Sequence, residues 1–119
     1  MEMKERYLED NWFGAGNFCA RLNMTLVMIE TEEEEVAIVS HIRVNYGELV
    51  YWTAGNNLAN NDVWVWEPTG MAITYFDWHQ GEPNHMTGEH CINLDWANGY
   101  LAWNNENSNK AVNVICEQK

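Results

Sequence analysis

Cationic side chains are scarce in this chain. Six Lys and Arg stand against 18 Asp and Glu, for a formal net charge of −12. Surfaces that track phosphates are built from Lys and Arg, so nucleic acid and anionic membrane surfaces are excluded as main partners. Long hydrophobic runs are also missing, and none reaches the roughly 20 residues needed to cross a bilayer. Met1 to Arg6 lacks the apolar centre of a signal peptide. These opening residues read as an added initiator Met on a mature, secreted domain, with a cytoplasmic chain as the alternative. Three cysteines are too few for a disulfide-rich scaffold and too many for complete pairing. No repeat, low-complexity block or Pro/Gly-rich linker divides the sequence, so its 119 residues read as one domain, 1–119. Nucleophilic machinery is lacking too. Ser40-His41 has no third member nearby, and His79, His85 and His90 with Cys91 lack the short spacings of structural zinc sites. The expectation is a protein that is not an enzyme.

Aromatics are plentiful, with seven Trp, five Tyr and three Phe. Trp12, Ala15, Cys19 and Leu22 fall on one face of a helix over 11–22. Met24 to Ile29 is apolar enough for a core strand. Thr31 to Glu34 is a capping box, and the four Glu of 32–35 read as a solvated first turn. The helix that follows carries Val36, Val39 and Ile42 and ends near Gly47. Residues 49–54 form a strand, and Trp64 and Trp66 share one face of another. Cys91 to Leu94 and Val112 to Cys116 are strands around a loop from Asp95 to Lys110. Asp77 to Gly88 is a polar loop without periodicity, of the kind that tends to be functional. Two helices followed by short antiparallel strands make an α+β domain.

Glu82-Pro83-Asn84, Glu89 and Asn104-Asn105 supply two carboxylates and three amides around these loops. Calcium takes six to eight oxygen ligands and accepts this mixture. Two Glu balance its charge. An Asn bound through its oxygen keeps an NH2 donor, and Glu keeps lone pairs, so one set of side chains can hold the cation and a pair of sugar hydroxyls. Asn23-Met24-Thr25 is an N-glycosylation sequon.

An ordered set of motifs spans almost the whole chain: Asn11-Trp12-Phe13, Cys19, Trp52-Thr53-Ala54-Gly55, Glu82-Pro83-Asn84, Glu89-x-Cys91, Trp103-Asn104-Asn105 and Val114-Ile115-Cys116. In this order they resemble the C-type lectin domain, and in build the secreted invertebrate members. The resemblance implies a C-type lectin-like fold of two helices, short antiparallel sheets and a long irregular loop region. It implies a Cys19–Cys116 disulfide, a cis Glu82–Pro83 peptide, and Ca2+ held by Glu82, Asn84, Glu89, Asn104 and Asn105. It further implies mannose-type glycans (mannose, GlcNAc, fucose) on microbial or host surfaces as partners, bound by Glu82, Asn84, Glu89 and Asn104. Trp96 either stacks on the sugar or is buried, whereas Trp103 matches a core tryptophan. Two departures stand out. Asn105 occupies a position where the family has Asp, which lowers the expected calcium affinity, with Glu106 close enough to stand in. Ser108 occupies the place of a partner for Cys91, leaving Cys91 a buried thiol or an attachment point in a homo- or hetero-oligomer. Asp62 and Glu89 suggest an incomplete second calcium site, with His85 where a carboxylate is expected. The alternative is a calcium-independent lectin-like module that binds protein.

Overall fold

The computed structural model describes residues 3–47, 49–84, 88–97 and 99–118, with the side chains of 3–8 left aside. Strand β1 (Met3–Asp10) leads into helix α1 (Trp12–Arg21), where Asn11 is the N-cap and accepts the Gly14 N–H. Trp12, Ala15 and Cys19 are buried as the spacing predicts, but Leu22 ends the helix in solvent, 41% exposed. The core run after α1 is buried at Met24 to Val27 and at Ile29. Only Thr25–Leu26 pairs as a strand, β2.

Helix α2 (Glu32–Asn45) starts at the N-cap Thr31, whose Oγ1 accepts the Glu34 N–H at 3.1 Å. The return bond of the box differs from expectation. The Glu34 carboxylate accepts from Glu30 N–H at 2.9 Å, one residue earlier. The buried face also differs. It is Glu35, Ile38 and Ile42, while Val36 is 59% exposed. Glu35 is therefore not part of a solvated turn.

Strand β3 (Tyr51–Asn56) is buried along its whole length because neighbours flank it on both sides. It pairs antiparallel with β4 (Val65–Trp66) and β6 (Cys91–Ala97), and parallel with β8 (Val112–Glu117) at Tyr51. Strand β4 continues to β5 (Met71–Ala72); β8 pairs with β1 and β2, and β6 with β7 (Tyr100–Glu106). Gly55 matters here. A Cβ at this position would lie 2.7 Å from Ile92 Cδ1 and 3.2 Å from the Trp66 ring. The segment Asp95 to Lys110, expected as a loop, is mostly the β6–β7 hairpin. Strand β1 was not foreseen.

Helix α1 and β8 are tied by the Cys19–Cys116 disulfide, closing a span of 97 residues. The same apolar core extends beneath the irregular segment that follows β5. The buried Trp103 ring meets Trp66, Trp78, Tyr75 and Phe76 edge to face at 5.7–6.0 Å between centroids, and Trp64 joins through Trp78 at 5.2 Å. Edge-on rings at these distances gain quadrupole attraction beyond their burial.

Candidate functional site

The loop that carries Glu82 and Asn84 is anchored on β7. Trp103 N–H donates to Asp77 C=O at 2.8 Å, and His79 N–H returns a bond to Trp103 C=O at 2.9 Å. His79 is buried and its Nε2 contacts the Asp95 carbonyl at 2.6 Å, a structural role. Glu82 N–H then donates to His79 C=O, closing the turn that leads to the cis Glu82–Pro83 peptide.

Asn105 fastens this loop to the strand. Its side chain is 2% exposed. The Oδ1 atom accepts the Asn84 N–H at 3.0 Å, and Nδ2 donates to the carbonyls of Asn84 and Glu89, both at 3.0 Å. Three backbone groups from both ends of the loop thus meet one amide. A carboxylate at this position could accept from Asn84 but could donate to neither carbonyl. The Asn84 N–H is shared with Glu82 Oε1 at 3.1 Å.

Glu89 lies across from this lattice, and its Oε1 is buried without a hydrogen-bond partner. Its pKa is raised, chiefly by burial and then by the Glu106 carboxylate, with Glu82 adding to the effect; a bond from the Asn84 side chain opposes the rise. Glu106 is partly drawn off by Lys110 at 3.2 Å. Alternation along β7 turns Asn104 to the opposite face from Asn105, where Asn104 pairs across the ladder with the buried Asn93. The Asn93 Oδ1 is also unpartnered.

The structure therefore brings Glu82, Asn84, Glu89 and Asn105 into one bonded cluster, while Asn104, the preceding residue of β7, faces the other side of the strand, opposite Asn93. For a hard cation the donor chemistry fits in part. Glu82, Glu89 and the amide oxygens are suitable oxygens, and the lone Glu89 Oε1 is a buried acceptor in need of a charge or a donor. The Asn105 side chain is largely committed to the loop backbone: both Nδ2 hydrogens are donated and Oδ1 accepts one bond, which leaves it a single oxygen lone pair. Among the described residues, no group of three His, Cys, Asp or Glu could hold a metal by itself.

Trp96 is not brought to the cluster. It pairs with Leu101 near the hairpin turn, four residues from Ile92, the partner of Asn105. That is about 13 Å along the strand. Trp96 instead lies under the Arg43 guanidinium, 5.0 Å from centroid to Cζ. Asp62 sits in an exposed turn, His90 contacts the Asn57 side chain at 3.0 Å, and His85 lies outside the described residues. Cys91 is a free, fully buried thiol, raised by burial to about 12.

The sequence profile of the Lectin C-type domain matches residues 8–118. Salivary C-type lectin 1 of Aedes albopictus is 29% identical over 119 residues, spanning 91% of this chain and 76% of that protein. The mouse scavenger receptor C-type lectin carbohydrate-recognition domain superposes with a TM-score of 0.84 at 25% identity, covering 98% of this chain and 88% of that one. A calcium-independent type II antifreeze protein shares the fold, with a TM-score of 0.80 at 19% identity and coverage of 96% and 82%. Profile, relatives and fold agree, and the chain belongs to the C-type lectin domain family of carbohydrate-binding proteins.

Proposed function

We propose that this chain is a secreted single-domain lectin that binds mannose-type glycans in the presence of calcium, with Glu82, Asn84 and Glu89 as the protein ligands. The observation that carries this reading is the buried, unpartnered Glu89 Oε1 set among Glu82 and Glu106. Like charges crowd there, and among the described residues the cation that answers them is Lys110 at the rim. Bound calcium would supply open coordination positions for two adjacent sugar hydroxyls. Glu82 and Glu89 accept hydrogen bonds from those hydroxyls, and the Asn84 amide donates to them. Asn105 is a positioning residue in this scheme, holding the loop rather than the ion. With two carboxylates the expected calcium Kd lies at the weak end, about 10⁻⁴–10⁻³ M. Single shallow sites of this type reach useful avidity on multivalent microbial or host glycans, or as oligomers.

The test is retention on mannan-agarose. Elution by EDTA, and loss of mannose retention in the double variant Glu82→Gln/Asn84→Asp, support the reading. Flow-through in millimolar calcium would end it. A specific observation favours a second reading, a calcium-independent module that binds protein. Asn105 fastens the loop through three hydrogen bonds of its own amide.

A further inference from the structure

Asn23-Met24-Thr25 is the single Asn-x-Ser/Thr triplet of the chain, and the Glu82–Asn105 cluster makes no use of it. Asn23 follows helix α1 in the left-handed region, with φ 58°, a conformation that Asn tolerates better than most residues. Its backbone N–H donates to Ala20 C=O at 2.9 Å, which fixes the turn. The side chain is exposed, and among the described residues nothing hydrogen-bonds its amide.

Thr25 is the opposite case. It is 6% exposed in β2, paired with Glu117 of β8, and among the described residues its buried Oγ1 has no hydrogen-bond partner. Valine has the same shape and suits a strand as well. It would also avoid burying an unsatisfied hydroxyl, which costs stability. The fold thus gives no reason for the hydroxyl, whereas the triplet does: glycosylation of an Asn requires Ser or Thr two residues on. Strand β2 is covered only when the last strand pairs with it, so the triplet is open while the chain is being made.

Asn23 also lines a groove of about 650 Å³. Phe13, Gly16, Asn17 and Ala20 of α1 form its helical wall, and Pro68 of the β4–β5 turn lines it too. A Cβ on Gly16 would meet nothing within 4 Å, so the helix surface is open there. Phe13 is 51% exposed. From Ala20 to Phe13 the helix rises about 10 Å, roughly the length of a disaccharide.

We propose that Asn23 carries an N-linked glycan whose first two GlcNAc residues lie along this groove, with their apolar C–H faces over Ala20 and Phe13. In the modification, Asn23 Nδ2 attacks C1 of a lipid diphosphate-linked oligosaccharide. The Nδ2–C1 bond forms and the C1–O bond to the diphosphate breaks, its electron pair leaving with the phosphate oxygen. One Nδ2 proton passes to solvent, and nothing is oxidised or reduced. No residue lining the groove belongs to the Glu82–Asn105 cluster, so the glycan leaves that site open. The proposal rests on the secreted part of the reading above. The Cys19–Cys116 disulfide is of the kind kept in oxidising compartments.

The test is the full chain produced in insect cells behind a secretory leader. The leader supplies the route, so a missing glycan counts against Asn23 and not against the lectin reading. Intact mass is expected to show one glycan, kept in Thr25→Ser and lost in Thr25→Val and in Asn23→Asp, which also suits the left-handed turn. The glycosylated parent is expected to unfold about 2–5 °C above the unmodified chain made in the bacterial periplasm. Phe13→Ala should close that gap. Made in the periplasm, Thr25→Val is expected to unfold at or above the Tm of the unmodified parent. The proposal is overturned by a secreted parent without glycan, by equal Tm with and without it, or by a gap that survives Phe13→Ala. A periplasmic Thr25→Val that unfolds below the parent would also overturn it, since the hydroxyl would then have a use in the fold.

Discussion

Replacing Asn105 with Asp restores the residue that the family carries there, and the structure gives the consequence a sign and a size. The Asn84 N–H keeps an acceptor, now a charged one. The carbonyls of Asn84 and Glu89 lose their donor and instead face a carboxylate at 3.0 Å. Each buried carbonyl left without a partner costs about 1–3 kcal/mol. The better acceptor for Asn84 returns part of this, and a new charge beside Glu82, Glu89 and Glu106 adds repulsion. The net expected loss in EDTA is about 2–4 kcal/mol. For a chain of this length that lowers Tm by roughly 10 °C. Calcium should reverse the order of effects. The parent gains only about 1.4 kcal/mol at ten times its Kd. The variant, with a third carboxylate freed from the backbone, binds calcium more tightly and recovers most of its loss. The assay is thermal unfolding of both proteins in EDTA and in graded calcium, with Asn105→Ala as the control that loses the bonds and gains no ligand. Asn105→Asp unfolding within about 2 °C of the parent in EDTA would refute the idea that this amide holds the loop.

Stability is expected to fall as pH rises through the neutral range. Glu35 (raised to about 8) and Glu117 (raised to about 7, by burial first) hold protons in the fold that the unfolded chain has already lost above its ordinary value of 4.5. Their stabilisation is full below that value and drains at about 1.4 kcal/mol per pH unit for each group up to its folded pKa. Denaturant titrations from pH 5 to pH 8 measure it; a flat or rising profile contradicts it, and Glu35→Gln should remove its share. Cys91 is expected to resist thiol reagents in the native state and to give one thiol per chain after unfolding without reductant, whereas a disulfide-linked dimer on a non-reducing gel would disprove its burial. Gly55→Ala places a Cβ 2.7 Å from Ile92 Cδ1 and should cost about 1–3 kcal/mol by overpacking. An unchanged denaturation midpoint would show that Ile92 moves aside freely.

What the sequence disclosed, and what it hid, follow from how each signal is encoded. The α1 face was legible because Trp12, Ala15 and Cys19 repeat at helical spacing and are all buried. The Cys19–Cys116 pair and the ligand cluster became legible only through the ordered motifs, since spacing in the chain says nothing about which loops meet. Strand β1 was hidden because its sequence, Met3 to Asp10, is mostly charged and lacks the alternation of a half-buried strand; as an edge strand it is held by backbone pairing with β8. Strand β7 lies within the segment Asp95 to Lys110 that the sequence suggests as a loop, because Asn104, Asn105 and Asn107 break the apolar alternation of a strand. The signal that could have found it was Asn98-Gly99 between apolar residues, the strongest short hairpin cue. Glu35 was missed for a different reason. Counting it as polar moved the inner face of α2 by one residue, to Val36, although Glu35, Ile38 and Ile42 have the better spacing for a buried stripe. Asn105 shows the limit most directly. As a letter it is an Asp that lost its charge, and so a weaker ligand. In the fold it is the one side chain that can accept from Asn84 while donating to both Asn84 and Glu89, a task no carboxylate performs. Substitution at a ligand position therefore need not mean decay of a site. Here the amide gives the chain its own means of ordering the loop.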